Sequence, residues 1–141
     1  MKDFRYQDNF FCDDRRTKVS WLLIVDDNEM FRNVFRTSLM QRIENIDIHE
    51  AGSAENAMAK ISDSPPFLIF MDIRLPGENG LQLTRKIKHL YPQILVVVCT
   101  SFDSNDYRQA AYRAGADYFF SKSAINIKKL IRLIHSHMEK E

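Results

Sequence analysis

Three short stretches of the chain are apolar at almost every position, and longer stretches with a helical period separate them. These stretches are residues 21–25, 67–71 and 94–98. A strand that is apolar throughout is covered on both faces, which is typical of the centre of a parallel sheet. Residues 46–49 instead alternate polar and apolar positions, as a strand at a sheet edge does, and residues 117–120 form a fifth, short strand.

Five amphipathic helices are predicted from apolar residues that recur at positions i, i+3 and i+4. Their apolar faces are, in chain order, Phe31, Val34, Phe35, Leu39 and Ile43; Ala54, Ala57, Met58 and Ile61; Leu83, Ile87 and Leu90; Tyr107, Ala110, Ala111 and Ala114; and Ile127, Leu130, Ile131, Ile134 and Met138. Gly115 is a stop signal for the fourth helix. Five strands alternating with five helices predict a doubly wound α/β domain.

Composition narrows the class of protein. The chain has 141 residues, 20 Lys and Arg against 19 Asp and Glu, and a formal net charge of +1. That balance argues against a domain built to bind nucleic acid phosphates. Cys12 and Cys99 are the two cysteines, and neither has ligand spacing around it, so a zinc site or a disulfide scaffold is excluded as an organising principle.

No membrane association is expected from the sequence. The longest apolar run is far shorter than the ~20 residues that a membrane span needs, and the N-terminus lacks the apolar segment of a secretory signal. We expect a cytoplasmic chain with a tail at residues 1–17 and one domain at residues 18–141. The tail is rich in charged and aromatic residues, which fits either a loosely docked arm or an aromatic interaction arm.

Polar side chains follow four of the predicted strands. Asp26 and Asp27 follow the first strand, Asp72 the third, Thr100 the fourth and Lys122 the fifth. Ligands of open parallel sheets bind beyond the carboxyl ends of the strands, so we expect these side chains to meet at one edge. Taken singly, each has a simpler interpretation as a helix-capping acid, a strand-end residue or a surface charge. Their joint placement favours a phosphoacceptor site.

Three carboxylates in one place repel one another, by ~4 kcal/mol per pair at 4 Å and an effective dielectric constant of 20. Lys122 offsets part of this repulsion, and a hard divalent cation with oxygen ligands offsets more. A few carboxylates completed by water and phosphate fit Mg²⁺ better than Ca²⁺. Asp72 is the candidate nucleophile, because a carboxylate can accept a phosphoryl group as an acyl phosphate. Mg²⁺, Lys122 and Thr100 would supply positioning and charge neutralisation.

These residues carry a resemblance to a known family. The pair Asp26-Asp27, the segment 72–80 (Asp-Ile-Arg-Leu-Pro-Gly-Glu-Asn-Gly), Thr100, and Gly115-Ala116-Asp117 leading to Lys122 resemble the receiver domain of bacterial response regulators. The resemblance covers about residues 18–140. It implies a flavodoxin-like parallel sheet with the strand order 2-1-3-4-5.

The resemblance also implies a role for each site residue. Asp72 would accept the phosphoryl group from a sensor histidine kinase or a phosphotransfer protein. Asp27 would bind Mg²⁺ directly and Asp26 mainly through water, with the backbone carbonyl of Arg74 as a further ligand. Lys122 would pair with the phosphoryl group.

A conformational switch is implied as well. Thr100 would move to hydrogen-bond the phosphoryl group, and Phe119, at a family position that is often Tyr, would turn inward behind it. The surface formed by the fourth helix, fifth strand and fifth helix would then control an output, through homodimerisation or a protein partner. Arg74 and Phe102, two residues after Asp72 and Thr100, would border the path of a hydrolytic water, and their size predicts slow loss of the phosphoryl group.

One departure from the family concerns Lys122, which precedes Ser123 instead of the usual cis-proline. This Lys-Ser pair and the segment 76–81 look like receivers joined to helix-turn-helix output domains, although the chain ends at Glu141 with no room for one. A fragment of a DNA-binding transcription regulator is therefore one alternative. An Mg²⁺-dependent aspartyl phosphohydrolase is a weaker one, because Arg74 stands where a haloacid-dehalogenase-like enzyme needs a second acid. The favoured function is a signalling phosphoacceptor that is not a conventional enzyme.

Overall fold

A computed structural model describes residues 20–138, in which five strands alternate with five α-helices. In chain order they are β1 (Ser20–Val25), α1 (Glu29–Met40), β2 (Ile46–Ala51), α2 (Ala54–Asp63), β3 (Leu68–Met71), α3 (Gly80–Leu90), β4 (Leu95–Thr100), α4 (Asn105–Arg113), β5 (Tyr118–Ser121) and α5 (Ile127–Met138). A short 3₁₀ helix, Lys122–Ala124, joins β5 to α5. The predicted tail at residues 1–17 lies outside the described residues.

The five strands form one parallel sheet in the order β2-β1-β3-β4-β5. The doubly wound α/β fold and its strand order are therefore confirmed, with β2 at an edge. The register pairs Val25 with Met71 and Met71 with Val98. These three central strands consequently deliver the residues that follow them to the same edge of the sheet.

Both faces of the sheet are covered, which explains why the central strands are apolar at every position. On β1, Leu22 and Ile24 belong to a core cluster with residues of α1 and α5, whereas Leu23 and Val25 belong to a second cluster with residues of α2, α3 and α4. All four side chains are at most 1% exposed. Burial of a side chain of this kind stabilises a fold by roughly 1.5–3 kcal/mol.

The helical faces differ from the prediction at a few positions. Val34 and Leu90 are 65% and 54% exposed, although both fall on a helical period of apolar residues. Helix α1 buries Phe35 and Leu39, one turn apart, and Val34 lies about 100° around the helix from Phe35, beyond the edge of that stripe. Ile43 is buried even though it follows the end of α1.

The start of α3 packs directly against the end of β3. The Gly80 amide donates a hydrogen bond to the carbonyl of Ile73 at 2.7 Å, and a Cβ added at Gly80 would lie 1.9 Å from the backbone oxygen of Asp72. A capping box between Asn79 and Gln82 closes the first turn of the helix. Only glycine therefore fits where α3 meets the residue that follows β3.

We expect Gly80→Ala to destabilise the domain, because the new methyl group must displace the Asp72 backbone. Overpacking of this kind costs roughly 1–3 kcal/mol. Gly77→Ala is the matched control, because it meets no atom within 4 Å and strains only a positive φ of 79°. Urea unfolding should give a larger loss for Gly80→Ala, and an equal or smaller loss would show that the backbone yields without cost.

Candidate functional site

Three carboxylates meet at the carboxyl edge of the sheet. Asp26 follows β1 and Asp72 follows β3, and the Asp72 amide donates to the carbonyl of Val25 at 2.9 Å, which continues the ladder between the two strands. One carboxylate oxygen from each of Asp26, Asp27 and Asp72 lies within 4.8 Å of the others. Asp26 and Asp72 are 2% and 6% exposed, whereas Asp27 faces solvent.

Lys122 connects the two buried carboxylates. Its Nζ lies 2.6 Å from Oδ2 of Asp26 and 3.2 Å from Oδ2 of Asp72, and its side chain is 15% exposed. The lysine follows β5, at the far edge of the sheet from β1, so its long side chain reaches across the end of β4. It compensates part of the negative charge that the fold concentrates here.

Backbone amides hold the other oxygen of each buried carboxylate. Asn28 donates its N–H to Oδ1 of Asp26 at 2.9 Å, and Ile73 donates its N–H to Oδ1 of Asp72 at 2.8 Å. Both Oδ2 atoms are thereby turned toward Lys122. Because the local backbone fixes each carboxylate, the site is preorganised by the turns that follow β1 and β3.

Burial and neighbouring charges together shift the pKa values of Asp26 and Lys122. Burial raises the pKa of Asp26 above its usual value, and the nearby charge of Asp72 adds to this, while hydrogen bonds from Lys122 and Asn28 oppose it. Burial alone would lower the pKa of Lys122, but the hydrogen bond and charge of Asp26, together with Asp72, outweigh it and raise that pKa. Lys122 is therefore an ammonium at neutral pH.

The donor set fits a magnesium ion. All three groups offer carboxylate oxygens, which are the hard ligands that Mg²⁺ prefers at about 2.0–2.1 Å. One oxygen from each group lies within 4.8 Å of the others, so the three carboxylates face one common space. Asp27, being exposed, leaves one side of the group open to solvent.

Thr100 and Phe119 lie on the neighbouring strands β4 and β5 but are not paired with each other in the register. Thr100 ends β4, is fully buried, and its Oγ1 accepts a hydrogen bond from the Phe102 amide at 3.2 Å. Phe119 on β5 is 6% exposed and already packs in the core. The guanidinium of Arg108, on α4, lies 4.7 Å from the centre of the Phe119 ring.

Two further contacts in the site were not predicted from the sequence. The guanidinium of Arg74 stacks over the ring of Phe102 at 4.5 Å, and Nζ of Lys122 lies 4.2 Å from the centre of the Phe31 ring. Phe31 carried only the periodicity of a core-facing helix position, so no signal in the sequence marked it. The peptide bond between Lys122 and Ser123 is trans, as are all others in residues 20–138.

The fold agrees with comparisons to known proteins. The family model of the response regulator receiver domain matches residues 22–135. Among curated relatives, the transcriptional activator protein ExaE of Pseudomonas putida is 34% identical over 103 residues, covering 73% of this chain and 48% of the relative. The chemotaxis protein CheY of Halobacterium salinarum is 33% identical over 101 residues, covering 72% and 82%.

A solved structure has the same fold as this chain. A CheY-like receiver domain protein from Methanospirillum hungatei is 25% identical, with a TM-score of 0.75 over 87% of this chain and 96% of that one. This chain spans about half the length of several curated relatives that it matches, including the response regulator GacA of Pseudomonas protegens at 48%. None of the helices within residues 20–138 is long and apolar enough to cross a membrane. The chain belongs to the receiver domain family of two-component response regulators.

Proposed function

We propose that this receiver domain accepts a phosphoryl group on Asp72 from a histidine kinase or a phosphotransfer protein, with Mg²⁺ as the cofactor. The observation that carries the proposal is the position of Lys122, whose ammonium contacts both Asp26 and Asp72 at the open edge of the sheet. A cation placed between a candidate nucleophile and a candidate metal ligand is arranged to meet a third negative group, and a phosphoryl oxygen is such a group.

In the transfer, a carboxylate oxygen of Asp72 forms a bond to phosphorus while the bond from phosphorus to the donor's imidazole nitrogen breaks. The imidazole leaves with the bonding electrons and takes up a proton. Asp26, Asp27, Asp72 and the backbone carbonyl of Arg74 would hold Mg²⁺, which neutralises charge on the phosphoryl oxygens when bound. Lys122 would neutralise more of that charge.

Transmission of the signal would pass through Thr100 and Phe119. The Thr100 hydroxyl accepts a hydrogen bond from Phe102 and keeps its own proton free to donate to a phosphoryl oxygen. A ligand shifts a two-state equilibrium only through contacts that it makes better in one state, and this hydrogen bond is such a contact. The surface of α4, β5 and α5 would carry the change to a homodimer or a protein partner.

The relatives favour transcription as the output. ExaE is named a transcriptional activator, and this chain covers about half of it, so an output through a linked or partner DNA-binding domain is the second proposal. CheY of Halobacterium salinarum, of which the chain covers 82%, represents the stand-alone alternative. In neither proposal does this domain itself bind nucleic acid. In both, the domain assists its own phosphorylation and does not turn over a substrate.

Asp72→Asn should abolish phosphorylation because the amide cannot form the acyl phosphate. Incubation with acetyl phosphate and Mg²⁺ should add one phosphoryl group to the parent, measured as intact mass, and none to the variant. Asp63→Asn, at the exposed end of α2, controls for the loss of one carboxylate and should be labelled like the parent. Stoichiometric labelling of Asp72→Asn at another residue would refute the assignment.

Mg²⁺ should raise the melting temperature of the parent, because it relieves the repulsion among Asp26, Asp27 and Asp72. A ligand of the folded state adds ~2.7 kcal/mol at a hundredfold excess over its dissociation constant. Asp27→Ala should show a much smaller rise, and Asp63→Asn should show the full rise. If the melting temperature rises equally in the parent and in Asp27→Ala, the metal binds elsewhere.

Loss of the phosphoryl group should be slow, because the Arg74 guanidinium stacks on Phe102 and the stacked pair would block the approach of an in-line water. Neither side chain can accept a proton from that water, and phosphoryl transfer depends on its positioning. The double variant Arg74→Asn, Phe102→Glu should lose its phosphoryl group faster than the parent when intact mass is followed over time.

The matched control for this pair is Arg85→Asn, which removes one exposed arginine from α3 and should leave the decay rate of the parent unchanged. A decay in the double variant that is equal to or slower than that of the parent contradicts the covering role of the stacked pair.

A further inference from the structure

The ammonium of Lys122 has a third neighbour besides its two carboxylates. Its Nζ lies 4.2 Å from the centre of the Phe31 ring, in the first turn of α1. Contact with an aromatic face within about 6 Å attracts a cation through the ring quadrupole. Lys122 is thus held by Asp26, by Asp72 and by an uncharged aromatic surface.

The Phe31 ring is itself held in place. It stacks on Phe35 with a centroid separation of 5.3 Å and an interplanar angle of 25°, and Phe35 makes an edge contact with Phe70 at 4.9 Å. Phe35 and Phe70 are 5% and 2% exposed, so this aromatic stack is anchored in the core. At its other end, the Phe31 amide donates to Oδ1 of Asn28, the N-cap of α1, at 3.1 Å.

We propose that Phe31 is a positioning residue for Lys122, and that its ring holds the ammonium where a phosphoryl oxygen bound at Asp72 would meet it. This inference rests on the proposed function of Asp72. The ring differs from a carboxylate neighbour because it attracts the ammonium without adding negative charge and without accepting a strong hydrogen bond. It therefore does not compete with the phosphoryl group for the N–H donors of Lys122.

Positioning matters here because lysine carries its charge on a flexible four-carbon stem. Lys122 follows the short strand β5 and reaches across the end of β4, and its side chain remains 15% exposed. Without the ring, part of the ammonium population would turn toward water. The phosphoryl group would then meet its cation less often, while the oxygen ligands for Mg²⁺ would stay in place.

The test compares the parent with Phe31→Leu, which keeps an apolar side chain against Phe35, and with Phe31→Tyr, which restores an aromatic face. Two affinities are measured for each protein: that for Mg²⁺ alone, and that for beryllium trifluoride in saturating Mg²⁺, which mimics a phosphoryl group on a carboxylate. Met30→Leu, at a position that is 75% exposed on the same helix turn, is the control for a change in α1.

We expect Phe31→Leu to weaken the affinity for beryllium trifluoride by about 3- to 30-fold, the range that corresponds to a cation–π contact, and not to weaken the affinity for Mg²⁺. Phe31→Tyr and Met30→Leu should behave like the parent. Circular dichroism checks that each variant is folded at the assay temperature, and Phe31→Met replaces Phe31→Leu if that variant is not.

Three results would overturn the inference: an unchanged beryllium trifluoride affinity in Phe31→Leu, a parallel fall in Mg²⁺ affinity, or a failure of Phe31→Tyr to restore the parent value. Failure of the proposed function looks different. In that case the parent itself does not bind beryllium trifluoride, and the inference about Phe31 falls with it.

Discussion

The contact of Lys122 with Asp26 and Asp72 is the interaction on which the rest of the site depends. Two carboxylates that are 2% and 6% exposed are costly to keep charged unless a cation accompanies them. The parallel register brings β1 and β3 to the same edge, and the lysine reaches the pair from beyond β5. Removal of any one of these three groups changes the charge balance of the other two.

Much of this arrangement could be predicted from the sequence, because parallel strands that run in the same direction all end at the same edge of the sheet. Parallel strands that are apolar throughout must lie inside a covered sheet, and residues such as Asp72 and Thr100 that follow them must reach one edge. The aromatic contacts could not be predicted in the same way. Phe31 against Lys122 and Arg74 against Phe102 depend on how helices and loops rotate side chains across long sequence separations, and periodicity carries no information on that.

Periodicity also overestimated the buried faces of the helices. Val34 fits the apolar pattern of α1 and is nevertheless 65% exposed, because the sheet covers only a narrow stripe that contains Phe35 and Leu39. A pattern gives the direction of the apolar face but not its width, which the neighbouring element sets. In α1 the neighbouring elements leave Val34 uncovered and place Phe31, one turn before Phe35, against a charged group.

The raised pKa of Asp26 makes the stability of the domain depend on pH. Burial is its main cause, so the folded chain prefers the protonated carboxyl more strongly than the unfolded chain does. The contribution of this group to stability is therefore fully present below its unfolded pKa and is lost as pH rises through the higher folded value. At any pH above that folded value, the site holds an ionised carboxylate that the fold disfavours. A bound cation offsets that cost, which couples stability of the domain to occupancy of the site.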